Sequence, residues 1–290
     1  MENSQTKGWG IRDSEGAEVW DARPAVIEPG VKSWVKLLFY PKKFALYQYM
    51  KKGLPERARV LDVGAGTGAA LIEMKKLFPK IGKAVGLDVV QLEVDIANSR
   101  FEEYGVEASA RIYDGINIPF DDNYFDVIHT SDVLGHVENV PAWLRELHRV
   151  LKPGGRLVMF SESQLGKHAY LRNYLLKCGL NTDPHAEFHI SLFSKAGLRE
   201  LLIGAGFTVD HMYSAVWAKF LVHPDELHSA LQKAKPRFPI LRFFNSILFW
   251  VKEKTKPFSL AAAEFYSFVE MYTFGRFVES QGYVILGRKK

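Results

Sequence analysis

Three carboxylates and three glycines in this chain have the types and spacing to hold a nucleotide-like ligand. Asp62 is followed by Gly64, Gly66 and Gly68, and Asp88 and Asp114 come further along. A glycine turn lets a ligand approach the backbone where a Cβ would block it. Amides at the start of a following helix suit a ligand rich in acceptor atoms. A carboxylate at a strand end accepts hydrogen bonds from both hydroxyls of a ribose. His136 adds a side chain that titrates near neutrality, as a proton acceptor would.

These residues need elements to position them. Val60 to Val63 reads as a buried parallel strand, and Ala69 to Phe78 reads as the helix after the turn. Lys83–Asp88 and Ala110–Asp114 read as second and third strands, each ending in an acid. Val127–Thr130 gives a fourth strand. Pro141 to Leu151 gives a helix opened by proline and stopped at Lys152-Pro-Gly-Gly155. Strands at Arg156–Phe160, Phe207–Asp210 and Gly282–Lys290, with helices over 166–179 and 198–205, complete the pattern. The alternation predicts an α/β fold, a parallel sheet with helices on both faces. Asp121, Asp122 and Asp126 fall in a polar turn and read as solvated.

The glycine turn alone is ambiguous, since Gly64 to Ala69 also satisfies a loose dinucleotide fingerprint. Asp62 also reads as a turn cap, and Asp114 as a turn residue before Gly115. The neighbours decide. Arg59-Val-Leu-Asp-Val-Gly-Ala-Gly-Thr-Gly68, the acid-ended strands at Asp88 and Asp114, Gly115-Ile-Asn-Ile-Pro-Phe120, Pro141 to Gly155 and Arg156-Leu-Val-Met-Phe160 occur in order. This succession resembles the class I S-adenosylmethionine-dependent methyltransferases, in particular their small-molecule branch, and Leu192 to Val209 extends the match more weakly.

The resemblance implies a Rossmann-like, mostly parallel sheet of seven strands, the last inserted antiparallel between the fifth and sixth. It implies S-adenosyl-L-methionine as cofactor and a small-molecule acceptor. Gly64, Ala65, Gly66, Thr67 and Gly68 would border its methionine and ribose, and Asp62 would face the methionine amino group. Asp88 and Val89 would hold the ribose, Asp114, Gly115 and Ile116 the adenine, and Ser131 would close the site. A nicotinamide oxidoreductase accounts for the glycines and Asp88, but not for the Asp114 region or the Leu151–Gly155 turn. A non-catalytic subunit that keeps the fold is the third reading.

A base is needed only if the acceptor loses a proton. His136, just beyond the fourth strand, is the candidate catalytic residue, and a loop-holding histidine is its structural alternative. His185 and His189 have a metal-like spacing, but Pro184 and the lack of a third ligand favour a pocket loop, so no metal centre is expected. Thr130-Ser-Asp-Val133 replaces the Asn-Pro-Pro-Tyr pattern of enzymes that methylate exocyclic or amide nitrogens. O- or C-methylation is therefore preferred, N-methylation of a small amine comes next, and no nucleic-acid partner is expected.

The 290 residues, 47% hydrophobic and 24% charged, are ordinary for a globular enzyme. The single cysteine, Cys178, excludes an intrachain disulfide and a cysteine zinc site, and reads as a small buried residue at a helix end. The start lacks the pattern of a signal peptide, so a cytoplasmic setting is the default, with peripheral contact at the inner membrane surface as an option. The formal charge of +5 permits anionic partners without requiring one.

Residues 1–50, with Trp9, Trp20 and Trp34, form a helical extension that serves as a lid or as an extra core layer. Residues 51–290 form the methyltransferase core. Within it, 211–278 is a helical, aromatic-rich insertion before the last strand. On a helical wheel Ile240, Leu241, Phe243, Phe244, Ile247, Leu248, Trp250 and Val251 share a broad apolar face, opposite Arg242, Asn245, Ser246 and Glu253, with Phe249 out of place among them. Basic residues flank the stretch over 233–256. Burial of this face against the core or a partner subunit is the first expectation, and an interfacial helix on an anionic membrane is the second. With Phe265, Tyr266, Phe268, Tyr272, Phe274 and Phe277, it could wall an apolar acceptor pocket, for a lipid, a polyprenyl or quinone precursor, or a lipid-linked sugar. Oligomeric state is left open.

Overall fold

The computed structural model describes residues 26–30, 33–183, 186, 188–215 and 217–290, with the backbone of 11–12 and 18–19. One sheet contains β1 (Ala58–Val63), β2 (Ile81–Asp88), β3 (Ala108–Ile112), β4 (Phe125–Ser131), β5 (Leu151–Glu162), β6 (Phe207–Ser214) and β7 (Gly282–Lys289). Their spatial order is β3-β2-β1-β4-β5-β7-β6. Neighbours from β3 to β5 are parallel, and β7 runs antiparallel to both β5 and β6. This is the expected topology. The strand order reverses between β1 and β4, which opens a crevice beyond their carboxyl ends.

Apolar residues alternate between two cores. Val60, Met74, Val158 and Val284 pack on one face of the sheet, and Leu61, Val63, Trp143 and Ile285 pack on the other. Helices α3 (Ala69–Leu77) and α5 (Val140–Val150) cover opposite faces, and α4 (Gln91–Glu103) joins β2 to β3. In α5 the Asn139 side chain caps the Ala142 amide and proline occupies the first turn. The third strand ends two residues before Asp114. The Tyr113 amide makes its last bond, to the Asp88 carbonyl, and the chain then turns.

The leading segment is bound in by a residue that sequence patterning does not mark. Glu73 of α3 is fully buried. It accepts from the Ile27 amide at 3.1 Å and the Tyr47 hydroxyl at 2.6 Å, and pairs with Lys43 at 2.9 Å. Tyr47 and Lys43 lie on α2 (Pro41–Lys51), which follows the short α1 (Ser33–Leu37). Burial, then the Glu73 charge, holds the Tyr47 hydroxyl well above the usual phenol range. Helix α2 thus packs on the sheet, with Phe44 edge-on to Phe268 at 5.1 Å. Trp9, Trp20 and the side chain of Trp34 lie outside what the structure describes.

Helix α6 (Tyr170–Lys177) leads to the loop before α7 (Lys195–Gly204). The stretch between β6 and β7 carries α8 (Lys219–Val222), α9 (Asp225–Lys233), α10 (Pro239–Lys254) and α11 (Phe258–Thr273). Here the structure overturns one half of the first expectation for the apolar helix: within this chain its face is not buried against the core. Ile240, Phe243, Phe244, Ile247, Trp250 and Val251 of α10 face outward, with Phe243 62% and Trp250 60% exposed. The polar side faces in. Asn245 is fully buried, donating to the Pro224 carbonyl at 2.9 Å and meeting His228 at 3.0 Å. Phe249 stacks on His228 at 4.0 Å, and Lys252 pairs with Asp225. The reason is local: α9 offers carbonyl, imidazole and carboxylate partners, and buried polar groups need partners. No helix among the described residues is long and apolar enough to cross a membrane.

Candidate functional site

The turn after β1 is fixed from both sides. Gly64 has φ +73°, and a Cβ there would lie 2.1 Å from Val133 Cγ2. Gly66, with φ +50°, is different: among the described residues a Cβ there would meet only Glu93 Oε2, at 3.5 Å. The turn's open side is therefore at Gly66. The amides of Gly64 and Ala65 donate to the Leu87 carbonyl at 2.8 and 3.0 Å, and that of Gly68 to the Ala65 carbonyl at 3.0 Å. The Gly66 amide donates to Asp88 Oδ2 at 2.8 Å. These four amides are spent inside the protein, so the turn offers a ligand space rather than the free donors expected of it. Thr67 is tied back by Arg100, whose guanidinium donates to its carbonyl and hydroxyl at 3.0 Å each.

The three acids occupy adjacent strand tips. Asp88, at the end of β2, also accepts from the Val90 amide at 3.1 Å. Burial pushes its carboxyl up, and the backbone amides of Gly66, Val90 and Val89 partly offset that. Asp62 on β1 is 2% exposed and bonds through Oδ1 to Nδ1 of His129, itself 5% exposed, at 2.7 Å. His129 on β4 is a functional candidate that sequence reading missed. Its only signal is register, because it stands directly beside Asp62 across the β1–β4 ladder. Asp114 is exposed, and its oxygens accept from the Ile116 and Asn117 amides and the Asn117 side chain. Those bonds hold its carboxyl below the usual range. Val89 lies against Gly115, 3.5 Å from where a Cβ would be. Asp62, the glycine turn, Asp88, Val89 and the Asp114–Ile116 loop thus line consecutive parts of one edge.

Across β1, the tips of β4 and β5 carry a second, charged group. Ser131 Oγ donates to Asp132 Oδ2 at 2.7 Å. Asp132 adopts φ +60°, and its amide donates to the Phe160 carbonyl at 3.1 Å. Glu162, at the end of β5, reaches the Asp132 carboxyl. Lys42 of α2 lies 3.5 Å over the Phe160 ring, and its charge acts on both acids. His136 Nδ1 meets the Phe188 carbonyl at 3.0 Å, and since a carbonyl only accepts, that nitrogen carries the proton. The His136 and His189 rings lie 5.0 Å apart, and His189 bonds to Asp183 at 2.7 Å. His185 lies outside the described residues.

Beyond Lys42 stand Lys219 and Glu226, paired at 2.8 Å, and Arg172, 3.1 Å from the same Glu226. The crevice over β4 and β5 therefore has charged walls. Of the second aromatic group, Phe265, Tyr266, Phe274 and Phe277 point to solvent, while Phe268 and Tyr272 turn inward onto Phe44. The expected apolar pocket wall is thus mostly on the outside. Two smaller corrections follow. Asp126 is no solvated turn residue, since it accepts from the Arg59 amide at 2.8 Å and from Lys152 at 2.6 Å, pinning the far ends of β1, β4 and β5. Cys178 caps α6 and is half-exposed, not buried.

Comparison with known proteins agrees with this geometry. A family model described as a methyltransferase domain matches residues 39–212. An uncharacterised methyltransferase of Schizosaccharomyces pombe is 28% identical over 175 residues, 58% of this chain and 63% of its own length. The chain thus spans somewhat under two thirds of that relative. The ubiquinone/menaquinone biosynthesis C-methyltransferase UbiE of Azotobacter vinelandii is 33% identical over 171 residues, 53% of this chain and 68% of its own length. The geranyl diphosphate C-methyltransferase of Streptomyces coelicolor superposes with a TM-score of 0.54 at 15% identity, over 90% of this chain and 83% of the other. At that identity the likeness shows the fold alone.

Proposed function

The chain belongs to the class I S-adenosylmethionine-dependent methyltransferases, and from that premise we propose that it methylates oxygen or carbon in a small amphiphilic, lipid-like acceptor. The residues present fit the cofactor. Asp88 and Asp62 are anchored carboxylates facing one edge, and the Gly66 side of the turn is open. Asp88 would hold the ribose, Asp62 the amino-acid end, and Val89, Gly115 and Ile116 the base. When bound, S-adenosylmethionine supplies an activated methyl group. The protein's part is to align the acceptor with it and to exclude water.

The observation that carries the acceptor class is the inverted insertion, with charges toward the crevice and aromatics toward solvent. Such a layout suits a molecule with a polar reacting head and an apolar body. The name of one relative, a ubiquinone/menaquinone biosynthesis C-methyltransferase, points the same way. Transfer of labelled methyl from S-adenosylmethionine into polyprenyl hydroquinones, prenyl diphosphates and a total lipid extract tests it. Label confined to polar, water-soluble acceptors would sink the reading. For His136 we propose the structural alternative, a histidine that holds the loop by donating from Nδ1 to the Phe188 carbonyl, rather than the catalytic role.

The same inversion supports peripheral contact with an anionic membrane. The outward stripe of α10 is flanked by Lys233, Lys235 and Arg237 on one side and Lys254 and Lys256 on the other. Apolar residues would enter the interface, with the lysines near anionic headgroups. In flotation, the protein should rise with anionic vesicles and less with neutral ones, and Phe243→Glu with Trp250→Glu should abolish the rise. Equal absence from both floated fractions counts against contact.

His129 is proposed as the residue that positions Asp62. His129→Asn should weaken S-adenosylhomocysteine binding by about tenfold, the value of one charge-assisted hydrogen bond. Binding of 5′-methylthioadenosine, which lacks the amino-acid end, should change little. Calorimetry with both ligands checks this, and an equal loss for the two would make His129 merely structural.

A further inference from the structure

The structure places an acid pair at the mouth of the crevice that no sequence motif announces. We infer that Asp132, backed by Glu162, is the group that takes the acceptor's proton during methyl transfer, with His136 serving the neighbouring loop. This rests on the methyl-transfer reading above.

Four observations carry it. Asp132 follows directly on β4 at the switch point of the sheet, beside Val133, which packs against the glycine turn. It is open to solvent although its neighbours crowd it, as a residue lining a crevice would be. Glu162 Oε2 is sealed from solvent and receives no hydrogen bond from any described residue. A buried carboxyl oxygen beside a second carboxylate, with no donor, is best occupied by a proton that Glu162 gives to Asp132. Last, residue 135 is glycine, and a Cβ there would stand 3.6 Å from Glu162 Oε2 and 3.1 Å from His189 Cδ2. A side chain at that point would close the gap between the acid pair and the histidines.

The electrostatics divide the two carboxyls into distinct roles. Burial, then the bond and charge of Asp132, push Glu162 well above the usual carboxyl range. Burial acts on Asp132 in the same sense, but Lys42, the bond to Glu162, Ser131 and His136 outweigh it and keep Asp132 ionised. Lys42 also acts on Lys219 of α8 and Glu264 of α11, so it sits between the pair and the insertion. His189 is held by Asp183. One carboxylate is thus ready to accept a proton, and its partner donates a hydrogen bond to it.

The step balances without an outside oxidant or reductant. The acceptor's O–H or C–H proton passes to Asp132 while the freed electron pair forms the bond to the methyl carbon. The carbon–sulfur pair returns to sulfur, and the proton leaves through the open side of Asp132.

Two arms test the inference. The first needs no acceptor. Infrared spectra at neutral pH should show a protonated-carboxyl band that Glu162→Gln removes, and a wild-type protein without that band overturns the pair. The second uses the labelled-methyl assay with the lipid extract and the hydroquinones. Asp132→Asn should keep S-adenosylhomocysteine affinity within about threefold while the transfer rate falls about 100-fold, the usual value of a general base. Glu162→Ala should move the acid limb of the pH–rate profile upward, since Asp132 loses a donor, whereas Glu162→Gln, which still donates, should not. His136→Asn should retain most of the rate. An Asp132→Asn enzyme with near-normal rate and an unchanged profile overturns the inference. A wild-type enzyme that shows the band but methylates none of the probes overturns the acceptor class instead and leaves the pair standing.

Discussion

Gly64→Ala is expected to cost roughly 2–5 kcal/mol of stability and to abolish cofactor binding. The figure adds two effects. An L-residue held at φ +73° costs about 1–2 kcal/mol. A Cβ 2.1 Å from Val133 Cγ2 then overpacks the junction of β1 and β4, for roughly 1–3 kcal/mol more. Val133 is β-branched and cannot swing its methyl away cheaply. Denaturant unfolding of Gly64→Ala, Val133→Ala and the double variant separates the terms. The double variant should recover part of the loss, because the clash is shared, while the backbone part persists. Purely additive losses would show that Val133 is not what requires glycine.

Asp88→Ala is expected to weaken S-adenosylhomocysteine at least tenfold. Asp88 holds the loop by accepting from the Gly66 and Val90 amides, and it is the carboxylate proposed for the ribose. Removing it loses a charge-assisted bond of roughly 1.5–3 kcal/mol and leaves a loop amide unsatisfied. Asp95→Ala, an exposed acid on α4, should leave affinity unchanged. The pH dependence follows from the direction of the shift. Burial raises the Asp88 carboxyl above the ordinary value of about 3.9. The ionised form binds hydroxyls, so affinity should decline as pH falls through the raised value, earlier than for an exposed aspartate. Calorimetry across acidic pH reads this, and an acid limb identical in Asp88→Ala and the parent protein would remove Asp88 from the site.

Both expectations concern the part of the protein that sequence reading reached most directly. Asp62, the glycine turn and Asp88 are close in sequence, and their roles depend on a strand-turn-helix unit whose apolar run, glycines and helix announce themselves locally. The acceptor side is a different case. Asp132 directly follows β4 and Glu162 ends β5, strands that pair only in the folded sheet. Lys42 reaches them from α2, far away in the chain.

The insertion gives the sharpest contrast. A helical wheel for α10 finds most of the apolar face, although Leu241 packs inward beside Leu227 and Leu231, and periodicity says only which residues share a face, not which face turns inward. That was decided by Asn245 and Lys252, whose partners on and beside α9 (Pro224, His228 and Asp225) exist only once the two helices pack together. The linear sequence therefore determined the alternating strands and helices of the sheet, because those follow from short-range patterning and right-handed crossovers, while the antiparallel last strand and the proposed cofactor edge were implied by the resemblance to the family. Tertiary packing alone decided the pairing of Asp62 with His129, the meeting of two carboxyls at the crevice, and the outward turn of the aromatic stripe. Each of these rests on side chains that long stretches of chain separate, brought together by strand register and helix docking rather than by local propensity.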